Sequence, residues 1–182
     1  MINRDKIEPG LLERAARIQM LVLDVDGVLT DGSLYFDNQG NEMKAFSTRD
    51  GLGLHYLQHH GIKLALITGR SSKIVETRAR QLGIEHVYQG RNDKLNAFGE
   101  LLKATGIKAE FVCYAGDDWI DLPVLGRVGL AVTPADADDI VKSRVHWVTS
   151  RPGGKGAVRE ICNLIMTATG LDKRVLDEIL NT

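Results

Sequence analysis

Four short, unbroken apolar runs punctuate the chain: LVLDV at 21–25, KLALIT at 63–68, FVCYAG at 111–116 and GLAVT at 129–133. They are rich in branched residues and too short for helices, the pattern of strands buried on both faces of a parallel sheet. EHVYQG and VHWVTS add two weaker candidates. Amphipathic stretches between them predict helices over 50–60, 71–82, 93–105, 121–127, 136–143 and 156–169, flanked by an initial helix near 11–18 and a terminal segment at 172–180. Asp50 is expected near the N-cap of the first of these, with Gly61 and Gly83 just past the ends of the first two. Strand and helix alternate throughout, which predicts one α/β domain over 1–182, a three-layer sandwich around a central parallel sheet.

One segment breaks the alternation. Residues 33–47 (SLYFDNQGNEMKAFS) carry two apolar stretches around Asn38-Gln39-Gly40-Asn41, turn chemistry suited to a β-hairpin. Such a hairpin would hang as a flap over the end of the first strand.

Composition narrows the function classes. With 43% apolar residues in 182, the chain can bury one substantial core. A formal net charge of -1 offers no overall positive field for nucleic acid or anionic lipid, so any anion must be gripped locally. Cys113 and Cys162 lie in apolar runs and read as buried free thiols of a reducing compartment. The N-terminal MINRDKIEPG lacks the apolar core of a signal peptide, and no apolar run approaches 18 residues. A soluble, cytoplasmic protein is expected, with no membrane partner.

The chemistry gathers at strand ends. LVLDVDG places Asp24 and Asp26 two residues apart at the end of the first run, followed by a glycine that permits a sharp turn. GDDWID places Asp117, Asp118 and Asp121 at the end of another. In an open parallel sheet ligands sit at these C-terminal ends. Any one of these aspartates could simply cap a helix. Together, with no arginine in either motif, they form a crowded acidic crevice for which a hard divalent cation is the natural remedy. Oxygen ligands without clustered His or Cys favour Mg²⁺ over zinc. Thr68, at the end of LALIT, and the amides after it could hold phosphate oxygens near a helix N-terminus. Lys94 in GRNDK could balance a phosphate against the carboxylates.

The order DVDGVLT, ITGR, Lys94, GDDWID resembles the four motifs of the haloacid dehalogenase superfamily of Rossmann-like phosphatases, over about 21–161. The resemblance implies Asp24 as nucleophile, through an aspartyl-phosphate, and Asp26 as general acid and base. It implies Mg²⁺ held by Asp24, the Asp26 main-chain carbonyl and Asp117, with Asp118 or Asp121 in support, and Thr68 and Lys94 on the transferring phosphoryl group. No separate cap domain fits between Asp24 and Thr68 or between Thr68 and Lys94. Capless relatives either act on macromolecules or borrow a wall from a neighbouring subunit. A homotetramer with the hairpin at its centre, and an active site completed by a neighbour, is the expectation, set against the hairpin packing on its own sheet.

STRDGLGLHYL, ITGRSSKIVETRA and RPGGKGAVREIC look like segments of the phosphatases that act on 3-deoxy-D-manno-octulosonate 8-phosphate, a precursor of lipopolysaccharide. This likeness implies substrate contacts from Asp26, Ser47, Thr48, Arg49, Asp50, Gly51, His55, Arg70, Arg78 and Lys94, partly across a subunit boundary. Arg70 and Arg78 could equally lie on an exposed helix face, and His55 could be a packed core histidine. Relatives acting on nine-carbon sialic-type sugar acid phosphates typically carry Glu where this chain has Arg70. The glycine run at 153–156 lacks the order of a P-loop and is expected to be a flexible connection near the active-site mouth. A receiver domain, phosphorylated but not hydrolytic, and a non-catalytic oligomerising module are the rival classes. Receivers place the phosphoacceptor on a middle strand of a shorter chain, and the intact acidic set argues against an inert module.

Overall fold

The computed structural model describes residues 7–181; the charged MINRDK end, part of the segment expected to lack a signal sequence, lies outside them. In chain order the elements are Pro9–Ala16 (α1), Met20–Leu23 (β1), Tyr35–Phe36 (β2), Glu42–Met43 (β3), Thr48–His59 (α2), Lys63–Ile67 (β4), Lys73–Gln81 (α3), His86–Tyr88 (β5), Lys94–Thr105 (α4), Val112–Ala115 (β6), Leu122–Leu125 (α5), Leu130–Thr133 (β7), Asp139–Lys142 (α6), Trp147–Val148 (β8), Ala157–Thr169 (α7) and Leu171–Leu180 (α8). Every one of the six expected strands forms, and all join one parallel sheet in the order β5-β4-β1-β6-β7-β8.

Alternation along the strands builds the two outer layers. Leu21, Leu23, Leu64, Leu66, Cys113, Ala115, Leu130 and Val132 face a core shared with Ala15, Leu54, Val75 and Ile161, so α1, α2, α3 and α7 cover that side. Met20, Val22, Ala65, Ile67, Val112, Tyr114 and Ala131 face Phe98, Leu101, Val124 and Val141 of α4, α5 and α6. Both faces are buried, which is why the strands read as continuous apolar runs. From β1 the chain builds outward through β4 and β5, then returns to the other side of β1 for β6, β7 and β8. The crevice between β1 and β6 is therefore the switch point of the sheet, where an open α/β fold binds its ligand.

Local chemistry moved some boundaries. The N-cap of α2 is Ser47, not Asp50: Ser47 is extended (φ -73, ψ 126) and its hydroxyl accepts from the Asp50 amide at 3.3 Å. The expected helix at 121–127 divides into a 3₁₀ turn, Trp119–Asp121, and the single turn α5. Asp138 caps α6 and shortens it to four residues. The hairpin forms as expected, with Tyr35 paired to Met43 and Phe36 to Glu42. Between β1 and β4 lie only this hairpin and α2, and between β4 and α4 only α3 and β5, so no cap domain is present.

The glycine run is a buttress, not a flexible connection. Gly154 donates its amide to Val28 O at 3.0 Å, and Gly153 to Asp136 Oδ1 at 2.9 Å. A Cβ on Gly153 would lie 1.9 Å from Gly27 O, so only glycine lets this backbone pack directly under the turn that carries Asp24 and Asp26.

Candidate active site

Asp24 leaves the end of β1 with its amide bonded to Ala115 O at 2.9 Å, which sets its carboxylate beside the end of β6. Gly27 then turns the chain at φ +90, and a Cβ there would sit 2.0 Å from Asp117 Oδ2. Only glycine lets the β1 turn and the β6 loop close this far. Thr68, buried at the end of β4, accepts from the Arg70 amide at 3.4 Å. Lys94 opens α4 directly after its N-cap Asp93, with its side chain 2% exposed. It is therefore a buried cation and not a solvated helix lysine.

Lys94 Nζ donates to Asp121 Oδ1 at 2.7 Å and forms an ion pair with Asp24 Oδ1 at 3.0 Å. Carboxylate oxygens of Asp24, Asp117 and Asp121 all lie within 4.8 Å of one another, a spacing that could hold a cation. Their hydrogen bonding separates their roles. Asp121 accepts from Lys94 and from Tyr114 OH (2.6 Å) on one oxygen, and from the Asp117 and Asp118 amides (3.1 and 3.3 Å) on the other. Its lone pairs are already occupied by protein donors. Asp117 Oδ1 is buried with no hydrogen-bond partner. The Lys94 ammonium already faces Asp24 Oδ1, whereas Asp117 Oδ1 has no such partner and is costly unless a cation takes it up, and hard oxygen donors fit Mg²⁺. Asp118 is exposed and caps the 3₁₀ turn by accepting from Trp119 N at 2.7 Å.

The electrostatics carry the mark of a cation site. Burial, then the nearby charges of Asp24 and Asp121, push the Asp117 carboxyl up to about 8. Burial raises Asp24 to about 6 against the pull of Lys94. Lys94 stays above its ordinary range because Asp24 and Asp121 outweigh the burial that would lower it. Crowded acids of this kind take up protons when no cation serves them.

The remaining expected residues fall into two groups. Arg70 joins the crevice, with Nε 3.8 Å from Asp26 Oδ2. The other group surrounds the start of α2. Arg78 Nη2 reaches Ser47 O at 3.5 Å, its guanidinium lies over Phe46, and a Cβ on Gly51 would meet Nη2 at 2.4 Å. Asp50 is 1% exposed and accepts from the Arg159 amide at 2.7 Å, so its carboxylate caps the start of α7. Thr48, Arg49 and His55 lie on the exposed side of α2; His55 stacks on His59 and is not a core residue.

Sequence reasoning missed Lys44 and Glu42. The hairpin carries Lys44 into the crevice, where its ammonium hydrogen-bonds Asp26 and lies 3.3 Å from Glu42, which also accepts from Arg70 at 2.8 Å. Lys44 and Arg70 hold the Glu42 carboxyl below its usual range against a burial effect that would raise it. The signal was the charged-apolar-charged order Glu42-Met43-Lys44, which puts both charges on one face of a strand.

A family model described as haloacid dehalogenase-like hydrolase matches residues 86–161. The 3-deoxy-D-manno-octulosonate 8-phosphate phosphatase of Yersinia pestis is 51% identical over 162 residues, covering 89% of this chain and 87% of that protein. The crystal structure of that phosphatase from Yersinia pestis has a TM-score of 0.89 at 49% identity, covering 90% of this chain and 89% of the other. The corresponding phosphatase of Moraxella catarrhalis, solved in complex with magnesium ion, phosphate ion and 3-deoxy-D-manno-octulosonate (KDO), has a TM-score of 0.91 at 39% identity, covering 93% and 97%. With half its residues shared over nine-tenths of its length, and with the acidic switch-point crevice in place, the chain belongs to the 3-deoxy-D-manno-octulosonate 8-phosphate phosphatases of the haloacid dehalogenase superfamily.

Proposed function

We propose that this chain is a Mg²⁺-dependent phosphomonoesterase that hydrolyses 3-deoxy-D-manno-octulosonate 8-phosphate to the free sugar acid and phosphate. The observation that carries the reading is the close cluster of Asp24, Asp117 and Asp121 carboxylates, with Asp117 Oδ1 unpartnered beside a buried lysine, in a chain 39% identical to a phosphatase solved with magnesium, phosphate and the sugar acid. Asp24, Asp117 and the Asp26 main-chain carbonyl would hold the ion. When bound, Mg²⁺ supplies positive charge that offsets the repulsion between a carboxylate nucleophile and a phosphate dianion.

The chain's own groups then divide the work. An Asp24 carboxylate oxygen attacks phosphorus while the bond to the sugar oxygen breaks, and Asp26 gives that oxygen a proton. Thr68 and the amides after it hold the transferring oxygens, and the Lys94 ammonium faces the charge that spreads over them. Asp26, now ionised, takes a proton from water as it attacks phosphorus, and the bond to Asp24 breaks to release phosphate. Asp121 keeps Lys94 charged and in place through the 2.7 Å bond.

Steady-state phosphate release over a panel of octulosonate 8-phosphate, a nonulosonate 9-phosphate and hexose 6-phosphates, with and without Mg²⁺, tests the assignment. The octulosonate ester is expected to lead in kcat/KM by about 10²-fold or more. A nonulosonate ester turned over faster would move the substrate to the nine-carbon acids, and turnover indifferent to Mg²⁺ would remove the mechanism.

The same reading extends to assembly. Leu34, Tyr35, Phe36 and Met43 on the hairpin are 48%, 43%, 57% and 55% exposed, an apolar patch of the kind that marks an interface. We infer a homotetramer joined through these hairpins, in which the Ser47, Thr48, Arg49, Gly51, His55 and Arg78 group of one subunit walls the crevice of the next. Light scattering is expected to give four chains, and a Phe36→Glu, Met43→Glu double variant to give monomers with kcat/KM for the sugar acid phosphate down about tenfold or more. A fully active parent monomer would defeat this. Among the described residues no helix is long and apolar enough to cross a membrane, and Cys113 and Cys162 are buried free thiols. The cytoplasm is the compartment that suits them.

A further inference from the structure

The hairpin brings one face of charge to the catalytic crevice. Glu42 and Lys44 are two apart and point the same way, while Met43 between them faces outward at 55% exposure. The Lys44 ammonium hydrogen-bonds Asp26 Oδ1 and lies 3.3 Å from Glu42 Oε1. Arg70 approaches the other Asp26 oxygen, Oδ2, at 3.8 Å and holds Glu42 Oε1 at 2.8 Å. Each oxygen of Asp26 thus faces its own cation, and Glu42 is shared by both cations.

The burial of Lys44 argues against a merely solubilising role. Its side chain is 1% exposed, whereas a lysine that only stabilises a surface turn keeps its ammonium in water. An ammonium removed from water persists where fixed acceptors replace its hydration, and here both acceptors are carboxylates of one small network. Asp26 sits on a turn, with no helix or strand to fix its side chain. Two cations on different oxygens define the plane of its carboxylate, which decides which oxygen meets a leaving group. We propose that Lys44 is a positioning residue for Asp26: the hairpin ammonium fixes the orientation of the acid-base carboxylate, and Glu42 fixes the ammonium. This rests on the reading of Asp26 as the acid and base.

A group that acts through Asp26 has a leaving-group signature. The ratio kcat/KM reports the steps up to the first phosphoryl transfer. A sugar alkoxide must receive a proton from Asp26 as its bond to phosphorus breaks, whereas nitrophenolate departs without one. Lys44→Met is therefore expected to lower kcat/KM for octulosonate 8-phosphate at least about tenfold more than for p-nitrophenyl phosphate. Lys44→Arg, which keeps charge and reach, is expected to recover most of the loss. Asp26→Asn, run beside them, sets the reference pattern. If Asp26→Asn lowers both substrates equally, the acid-base assignment itself fails. If Asp26→Asn is selective but Lys44→Met lowers both equally, or neither, Lys44 does not position Asp26. Light scattering and thermal melts on each variant separate these outcomes from lost assembly. Glu42→Gln offers a route that keeps Lys44: it is expected to show the same selectivity at smaller size, and a parent-like Glu42→Gln beside a misfolded Lys44→Met would overturn the proposal.

Discussion

Replacing Asp24 by Asn is expected to lower kcat for phosphate release by about 10⁴-fold or more while leaving the fold intact. The amide is nearly isosteric and keeps the backbone bond from Asp24 N to Ala115 O, but it cannot form the acyl phosphate. Losing a nucleophile leaves only the catalysis that binding and charge stabilisation give, which is why the effect should dwarf that of any positioning residue. Stability should move differently. The Asp24 carboxyl is pushed up to about 6 by burial and by Asp121, so near pH 8 its charge is an unfavourable part of the metal-free site. Lys94 keeps its 2.7 Å bond to Asp121 in the variant. Metal-free Asp24→Asn should therefore melt no lower than the parent at pH 8, and Mg²⁺ should raise its melting temperature less. Parent-like turnover by Asp24→Asn would end the case for a covalent intermediate on this residue.

The fold and the heart of the site were legible because buried parallel strands write themselves as apolar runs and their carboxyl ends carry the chemistry. All four strong runs and both weak ones became strands of one sheet. Asp24 and Thr68 directly follow strands, Asp117 comes two residues after one and Lys94 opens a helix, which is why these four stand out as candidates. What escaped depends on tertiary approach. Nothing in GDDWID says that Asp121 turns inward to Lys94 and Tyr114 while Asp118, three residues earlier, turns to solvent; hydrogen-bond saturation in the folded loop decides it. Asp50 reads as a polar group at a helix start, yet its carboxylate is claimed by α7, over a hundred residues away in sequence. The glycines at 153 and 154 resemble a loose loop until Gly27 and Thr30 are found packed against them. Lys44 sits mid-hairpin, and only the folding of that hairpin over β1 brings it to Asp26.

Removing the metal is expected to abolish Mg²⁺-stimulated turnover, a loss of about 10³-fold or more, and to reveal a pH dependence of stability set by Asp117 and Asp24. Both carboxyls titrate higher in the folded chain than the ordinary 3.8, at about 8 and about 6. The folded metal-free protein thus binds protons that the unfolded chain has already released. Their contribution to stability is fully present below about pH 4 and is lost as pH rises through about 6 and then about 8. A divalent cation competes for the same oxygens, so its binding expels protons and strengthens with pH, by up to about tenfold per unit between the two values and more steeply below the lower one. With EDTA the melting temperature should fall from pH 6 to pH 8, apart from any general acid unfolding at lower pH. With Mg²⁺ at a hundredfold excess over its Kd at pH 8, it should rise by about 5–10 °C, and the same total concentration should do far less at pH 6. Calorimetry at pH 7 in buffers of different ionisation heat should register about one proton released per ion bound. Asp117→Asn should remove most of both the proton release and the pH dependence. A Mg²⁺ effect of equal size at pH 6 and pH 8 would mean that the ion binds somewhere other than between Asp24 and Asp117.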